Sequence, residues 1–378
     1  MLVVVGFLLI ILLVIAHEAG HFFAARKAGV EVEEFGVGFP PRAKVLKVKN
    51  GTEYTLNWLP LGGFVKLKGE NDNDTTPGSF GAARLRDKVK IMVAGVLMNF
   101  LIAYILFTFI ALLGMPQLVD NQFTVASDSK ITRQEVLAGF VEPNSPAANA
   151  GLQLNDTIVS ITQTGDCAGT CQTRELNVAE ELGATTKSLA GQSVDISVIR
   201  GGEPMILSAQ LQDEQTVSAS KETDNPKGYL GVVPTEFSAV RSTWSAPIVG
   251  AGLTAQFTEL TFKGLWSIVS GLSQGDTTQA KEQVSGVVGV GYIFSSASFL
   301  GPIFMLMIVA VISLSLAIMN ILPIPALDGG RLFVTLFYRL IKRPLTEKTE
   351  ERIHGTGFAV LMVLFVLITI LDVQRFVL

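Results

Sequence analysis

Residues 1–27 read MLVVVGFLLIILLVIAHEAGHFFAARK, an apolar run that carries His17, Glu18 and His21 near its end. Leu2–Ala25 is long enough to cross the roughly 30 Å hydrocarbon core of a bilayer as a helix. Ionisable side chains at that depth are costly and tend to be functional. Positions i and i+4 share a helix face, so His17 and His21 point the same way, with Glu18 beside them. At about 1.5 Å per residue, His17 lies roughly 12 Å before Ala25, inside the membrane but near one surface. The run lacks the positive leader and clean cleavage pattern of a secretory signal. Arg26 and Lys27 follow it as a cytoplasmic stop would. It reads as a retained span with its N-terminus outside.

Three further apolar stretches, Ile91–Met115, Phe299–Leu322 and Gly357–Leu371, are long enough or nearly so to span. They account for a mean hydropathy of +0.45 with only 16% charged residues. The expected fold is a polytopic α-helical membrane protein with about four transmembrane helices and a domain between them. Lys and Arg number twelve in Arg26–Lys90, ten in the far longer Pro116–Ser298, and six in Pro323–Thr356. The positive-inside rule therefore puts the first and last loops in the cytoplasm and the long middle segment outside. Trp244–Leu272 is also apolar, but Glu259 and Lys263 stand in its middle. Charges are costly at mid-bilayer, so this stretch is expected to be an ion-paired interfacial helix. A net charge of −4 argues against a nucleic-acid partner.

Between the first two spans, Asn50-Gly51 separates two alternating segments, a strong signal for a β-hairpin. Such a hairpin is either a small cytoplasmic element or a sheet edge able to pair with an extended peptide. In the outside segment, AGFVEPNSPAANAGLQLNDTIVSI (residues 138–161) places Ser145 as N-cap and Pro146 at the first helical position. Gly151 ends that short helix and Thr157–Ile161 alternates like a strand. Val194–Arg200, Gly201-Gly202 and Met205–Leu211 then read as a closing hairpin. The only cysteines, Cys167 and Cys171, are expected to form a local disulfide or to remain two free thiols. Their spacing supports neither redox catalysis nor a zinc site.

His-Glu-x-x-His on one helix face can offer two imidazoles to a zinc ion, with the glutamate handling the proton of an attacking water. A catalytic zinc usually has three protein ligands, so His17 and His21 need one more. His354, in IHGTG, reads as an interfacial residue rather than that ligand. Met319–Phe333, MNILPIPALDGGRLF, is the better source. Pro323 and Pro325 break the third span, Gly329-Gly330 are expected to keep the backbone irregular, and Asp328 offers a carboxylate. Broken backbone at membrane depth is tolerated where protein or water covers it. Asn320 could hydrogen-bond a substrate backbone or an oxyanion. Taken alone, the stretch also fits a proline-rich helix end with a capping aspartate. With four spans, HEAGH and LDGG both fall at the cytoplasmic end.

HEAGH in the first span, NILPIPALDGG in a later one, the LGGFVKLKG loop and SPAANAGL with LNDTIVSI together resemble the site-2 protease family of intramembrane metalloproteases. The bacterial branch with an extracytoplasmic PDZ domain is the nearest in pattern, and the resemblance covers nearly the whole chain. It implies zinc held by His17, His21 and Asp328, Glu18 as general base, and Asn320 against the substrate backbone. It implies a membrane-associated β-hairpin loop and one inserted PDZ-like α+β domain. Residues 1–116 would hold the first two spans and the β-loop, and 117–213 the PDZ-like domain. Residues 214–298 would be a linker with the interfacial helix, and 299–378 the last two spans. The implied location is the bacterial inner membrane, with the active site near the cytoplasmic face. The implied partners are the lipid bilayer, peptide termini at the PDZ-like domain, and single-pass membrane substrates of the anti-sigma factor or remnant signal peptide type. Two departures stand out: one PDZ-like segment where many relatives have two, and Ser285-Gly286-Val287-Val288-Gly289 without the family's proline. A non-catalytic membrane PDZ scaffold and a metal transporter are the competing functions.

Overall fold

The computed structural model describes residues 2–70, 74–164, 171–220, 226–276, 284–296 and 300–376. The chain divides into two compact units, Met1–Ile110 with Ser245–Leu378, and Ala111–Trp244. It opens with α1 (Leu2–Lys27), β1 (Val32–Lys49), β2 (Thr52–Leu67) and α2 (Leu85–Leu113). The second unit follows with β3 (Met115–Pro116), β4 (Lys130–Val141), α3 (Pro146–Asn149), β5 (Thr157–Gln163), β6 (Thr173–Glu175), α4 (Ala179–Ser188), β7 (Ser193–Arg200), β8 (Glu203–Gln210), α5 (Glu214–Ser220) and β9 (Val232–Arg241). The first unit then resumes with α6 (Ala246–Ser273), α7 (Val287–Ser296), α8 (Pro302–Ile321), α9 (Asp328–Leu340) and α10 (Glu347–Phe376).

Among the described residues, four helices are long and apolar enough to cross a membrane: α1, α2, α8 and α10. This is a polytopic membrane protein. The third of them begins with Pro302 in its first turn and stops at Leu322, whose ψ of 148° is extended. A residue before proline is pushed out of the helical region, and Pro323 follows. The last helix starts at Glu347, ten residues before the expected Gly357. Its polar opening turns carry Glu347 and Glu350 at the end of the helix dipole that favours acids. Asp372, buried in α10, accepts from the backbone N–H groups of Gly286 and Gly289 at 2.9 and 2.8 Å. That carboxylate caps the N-terminus of α7, since Gly286 precedes the helix and Gly289 lies in its first turn.

Two expectations need correction. Gly329 and Gly330 do not keep the backbone irregular; both lie in the first turn of α9. Their missing side chains serve close packing, because a Cβ at either would run into the Ile321, Leu322 or Ile324 carbonyls at the end of α8. The compact second unit also runs on to Trp244, past the Asp213 boundary read from the sequence. The reason is β9, which returns to pair antiparallel along β4 from Val141↔Val232 to Lys130↔Arg241. No hydrophobic pattern within β9 announces a partner a hundred residues upstream.

In the first unit, β1 and β2 pair antiparallel about Asn50 and Gly51, both at positive φ (51° and 78°). The ribbon folds back on itself. Phe35 pairs with both Tyr54 and Val65, and Val37 with both Leu56 and Gly63, so residues 34–37 lie between two segments of β2. Phe22, Ala25, Val32, Leu67, Phe80 and Ile91 bury a common cluster that fixes the ribbon to α1 and α2. The α6 helix packs along α2, with Phe257 stacked on Phe107 at 5.5 Å between ring centroids. Glu259 and Lys263 pair at 2.6 Å on its exposed side.

In the second unit the sheet order is β3-β9-β4-β5-β7-β8, with β6 on β5. Ser145 caps α3, its side chain accepting from the Ala148 N–H, and Pro146 sits in the first turn. Val136, Ile158, Ile161, Val194, Ile196 and Leu182 are among the residues of its core. Asp156 is buried and receives two hydrogen bonds from the Arg200 guanidinium, at 2.8 and 2.6 Å. Of the pair Cys167 and Cys171, expected as a local disulfide or two free thiols, Cys167 lies outside the described residues.

Candidate metal centre

The α1 helix brings His17 and His21 one turn apart onto a buried face, at 6% and 9% exposure. The rings meet edge to face with centroids 4.9 Å apart. Asp328 reaches them from the first turn of α9, across 311 residues of chain. Its Oδ2 lies 3.0 Å from His17 Nε2 and 3.2 Å from His21 Nε2, and the two Nε2 atoms are 3.2 Å apart. Three lone-pair donors thus converge on one point.

That triangle fits a metal. A tetrahedral zinc with ligands at about 2.0–2.1 Å would separate its donor atoms by roughly 3.3 Å. Two imidazoles and a carboxylate also match the three-ligand, one-open-position pattern of catalytic zinc. Without a cation, the same packing would press the part-buried Asp328 carboxylate against two buried imidazole nitrogens with only their protons to compensate. Among the described residues this is the cluster of three that could hold an ion.

Glu18 lines a cavity of about 100 Å³ together with His21, Asp328, Val65, Leu67 and Arg331. That volume has room for several water molecules. Val65, in the returning segment of β2, faces Glu18 across this cavity. A larger cavity of about 490 Å³ opens beside it, lined by Asp328, Arg331, Glu350, Glu351 and His354 among others. Asp328, Glu70 and Arg331 line both.

His354 lies outside the cluster. Its Nδ1 accepts from the Ala326 N–H at 3.1 Å. That bond supports the turn before Asp328, in which Ala326 adopts φ of 77°, a left-handed value that a non-glycine residue rarely takes. Arg331, one turn after Asp328, donates to the Glu70 backbone carbonyl and lies over the Phe80 ring at 4.8 Å. It also sits 3.7 Å from Glu350 of α10. These contacts anchor the start of α9 to the segment after β2. Asn320 is partly buried in the last turn of α8, and none of the hydrogen bonds within the cluster involves it.

Three positions of α2 had no role at the site in the sequence reading, in which Ile91 only opened the second span and Asn99 was a polar residue inside it: Ile91, Gly95 and Asn99. The Ile91 carbonyl accepts from His21 Nδ1 at 2.7 Å. The Asn99 amide lies 3.3 Å from His17 Nδ1. Gly95, between them, faces the two rings. A Cβ there would fall 2.7 Å from His17 Nε2 and closer still to His21 Nε2. The i, i+4, i+8 spacing was a visible signal of one shared face, but nothing in it says which helix that face meets. Gly95→Ala is expected to push both rings off the shared point, with overpacking worth about 1–3 kcal/mol. Zinc analysis of the purified variant should find less metal than wild type, and an unchanged content would show that the rings have space to spare.

Residues 5–364 match peptidase family M50. A Campylobacter jejuni relative, provisionally named a zinc metalloprotease, is 30% identical over 98% of this chain and 92% of its own length. The protein provisionally named protease eep of Enterococcus faecalis is 26% identical, with 97% of each chain covered. The zinc metalloprotease RasP of Geobacillus kaustophilus is 24% identical, with 96% of each covered.

Proposed function

This chain belongs to peptidase family M50, that of the site-2 proteases, and is a membrane zinc metalloprotease; we propose that it cuts within the membrane-spanning helix of single-pass proteins. The observation that carries this reading is the convergence of His17, His21 and Asp328 beside Glu18 and its small cavity. His17, His21 and Asp328 hold the metal. Zinc supplies Lewis-acid chemistry there, acidifying water and polarising a peptide carbonyl. Glu18 takes the proton of the attacking water and passes it to the leaving nitrogen as the peptide bond breaks. Val65 of β2 walls the cavity in which Glu18 makes both transfers. Asn320 contacts the substrate backbone.

A helical substrate shields its carbonyls in its own hydrogen bonds, so it must unwind before it can react. The β2 edge around Val65 lies against Glu18, which supports a substrate laid extended beside that strand. Phe39, Leu46, Val48, Trp58 and Leu59 stand exposed on the ribbon, which supports its lying against lipid. The lysine and arginine bias puts this ribbon and the zinc site towards the cytoplasm, and the Ala111–Trp244 unit outside. That unit is PDZ-like and takes peptide termini, so it meets substrates already shortened outside by another protease. Anti-sigma factors and remnant signal peptides are the substrate classes, in a bacterial inner membrane.

The test is reconstitution of the full chain in vesicles with a single-span substrate. A zinc chelator should stop cleavage and added zinc should restore it. Cleavage indifferent to chelation, or metal flux without cleavage, would overturn the reading.

A further inference from the structure

The cluster uses Nε2 of both histidines, and that choice constrains their other nitrogens. A neutral imidazole that offers one lone pair carries its hydrogen on the opposite atom, so each Nδ1 becomes a donor. In a buried site such a donor needs an acceptor, and that acceptor sets the ring plane and strengthens the ligand. His21 has one in the Ile91 carbonyl, 2.7 Å away. For His17, the group that the described residues bring to Nδ1 is the Asn99 side chain.

Asn99 is 1% exposed. Its Nδ2 faces His17 Nδ1 at 3.3 Å, while its Oδ1 is buried with no hydrogen-bond partner among the described residues. Half a turn of the amide exchanges the two atoms and brings the stranded oxygen to the imidazole N–H. The Asn99 backbone is held as well, its carbonyl accepting from the Ser313 hydroxyl of α8 at 2.9 Å. We propose that Asn99 is the positioning residue of His17, its Oδ1 accepting from Nδ1–H to lock the imidazole with Nε2 towards the metal. The α2 helix thereby orients both histidines of α1, one through a main-chain carbonyl and one through a side chain. The inference rests on the zinc site proposed above.

The experiment measures zinc affinity of the full chain in detergent, by competition with a chromogenic chelator, independently of activity. Asn99→Leu keeps the volume and removes the acceptor, and it should weaken binding by about 10–100-fold, as loss of an outer-shell partner does. Asn99→Asp keeps an acceptor of the same size and should bind at least as tightly as wild type. Wild-type affinity in Asn99→Leu would overturn the proposal. So would equal loss in Asn99→Leu and Asn99→Asp, which would make the residue a matter of packing alone. His17→Ala separates the two levels: if it binds zinc as wild type does, the zinc site itself is misassigned, and the Asn99 role falls with it.

Discussion

Glu18→Gln leaves zinc bound and lowers peptide cleavage by roughly 10²–10⁴-fold, the range over which a positioned general base acts. The substitution keeps the size of the side chain, so the cavity wall that it shares with Val65 survives. What it removes is the ability to take a proton from water and return one to the leaving nitrogen. None of the three donor atoms on the metal point belongs to residue 18, which is why metal content should not follow activity. The measurement is zinc content beside cleavage of a reconstituted single-span substrate. Normal turnover by this variant would remove Glu18 from the mechanism, and loss of zinc together with activity would recast it as part of the metal shell.

Asp328→Ala is expected to lose both zinc and activity, and His17→Ala to do the same. Each removes one corner of a triangle whose sides are 3.0–3.2 Å. The remaining two donors leave two positions open, short of the three-ligand set that catalytic zinc uses. The loss should exceed the roughly 10–100-fold expected when only an outer partner is removed. Asp328→Ala has a second use, because Asp328 also opens α9, where an acid favours the helix N-terminus. If the carboxylate were only a helix cap, the variant would keep stoichiometric zinc and lose a modest amount of stability. Metal analysis and thermal unfolding in detergent distinguish the two roles. The competing functions part at the same point: a non-catalytic scaffold requires no bound zinc, whereas the family relationship places this chain among metalloproteases.

Much of this protein was open to reading in one dimension because the physics involved is local or one-dimensional. A bilayer demands about twenty apolar residues per helix, so the four candidate spans stand out by composition once the charges of Glu259 and Lys263 set α6 apart. Asn50-Gly51 marks its turn because those two residue types tolerate positive φ. His17 and His21 share a face because four residues make nearly one helical turn. The pairing of HEAGH with a distant LDGG came from ligand counting, span topology and resemblance together, since nothing local ties Asp328 to a helix 311 residues earlier.

What stayed hidden depends on which surfaces meet. Gly95 reads as any glycine in a membrane helix until two imidazoles are found against it. Asn99 reads as one polar residue in a span until its amide lies beside His17. That His354 also props the turn before Asp328 becomes visible only when its Nδ1 is found against the Ala326 N–H. Pattern along a chain states what each helix or strand must bury and which face will do it. It does not name the partner, because burial of apolar surface carries no direction, whereas metal donors and hydrogen bonds require a match within a few tenths of an ångström.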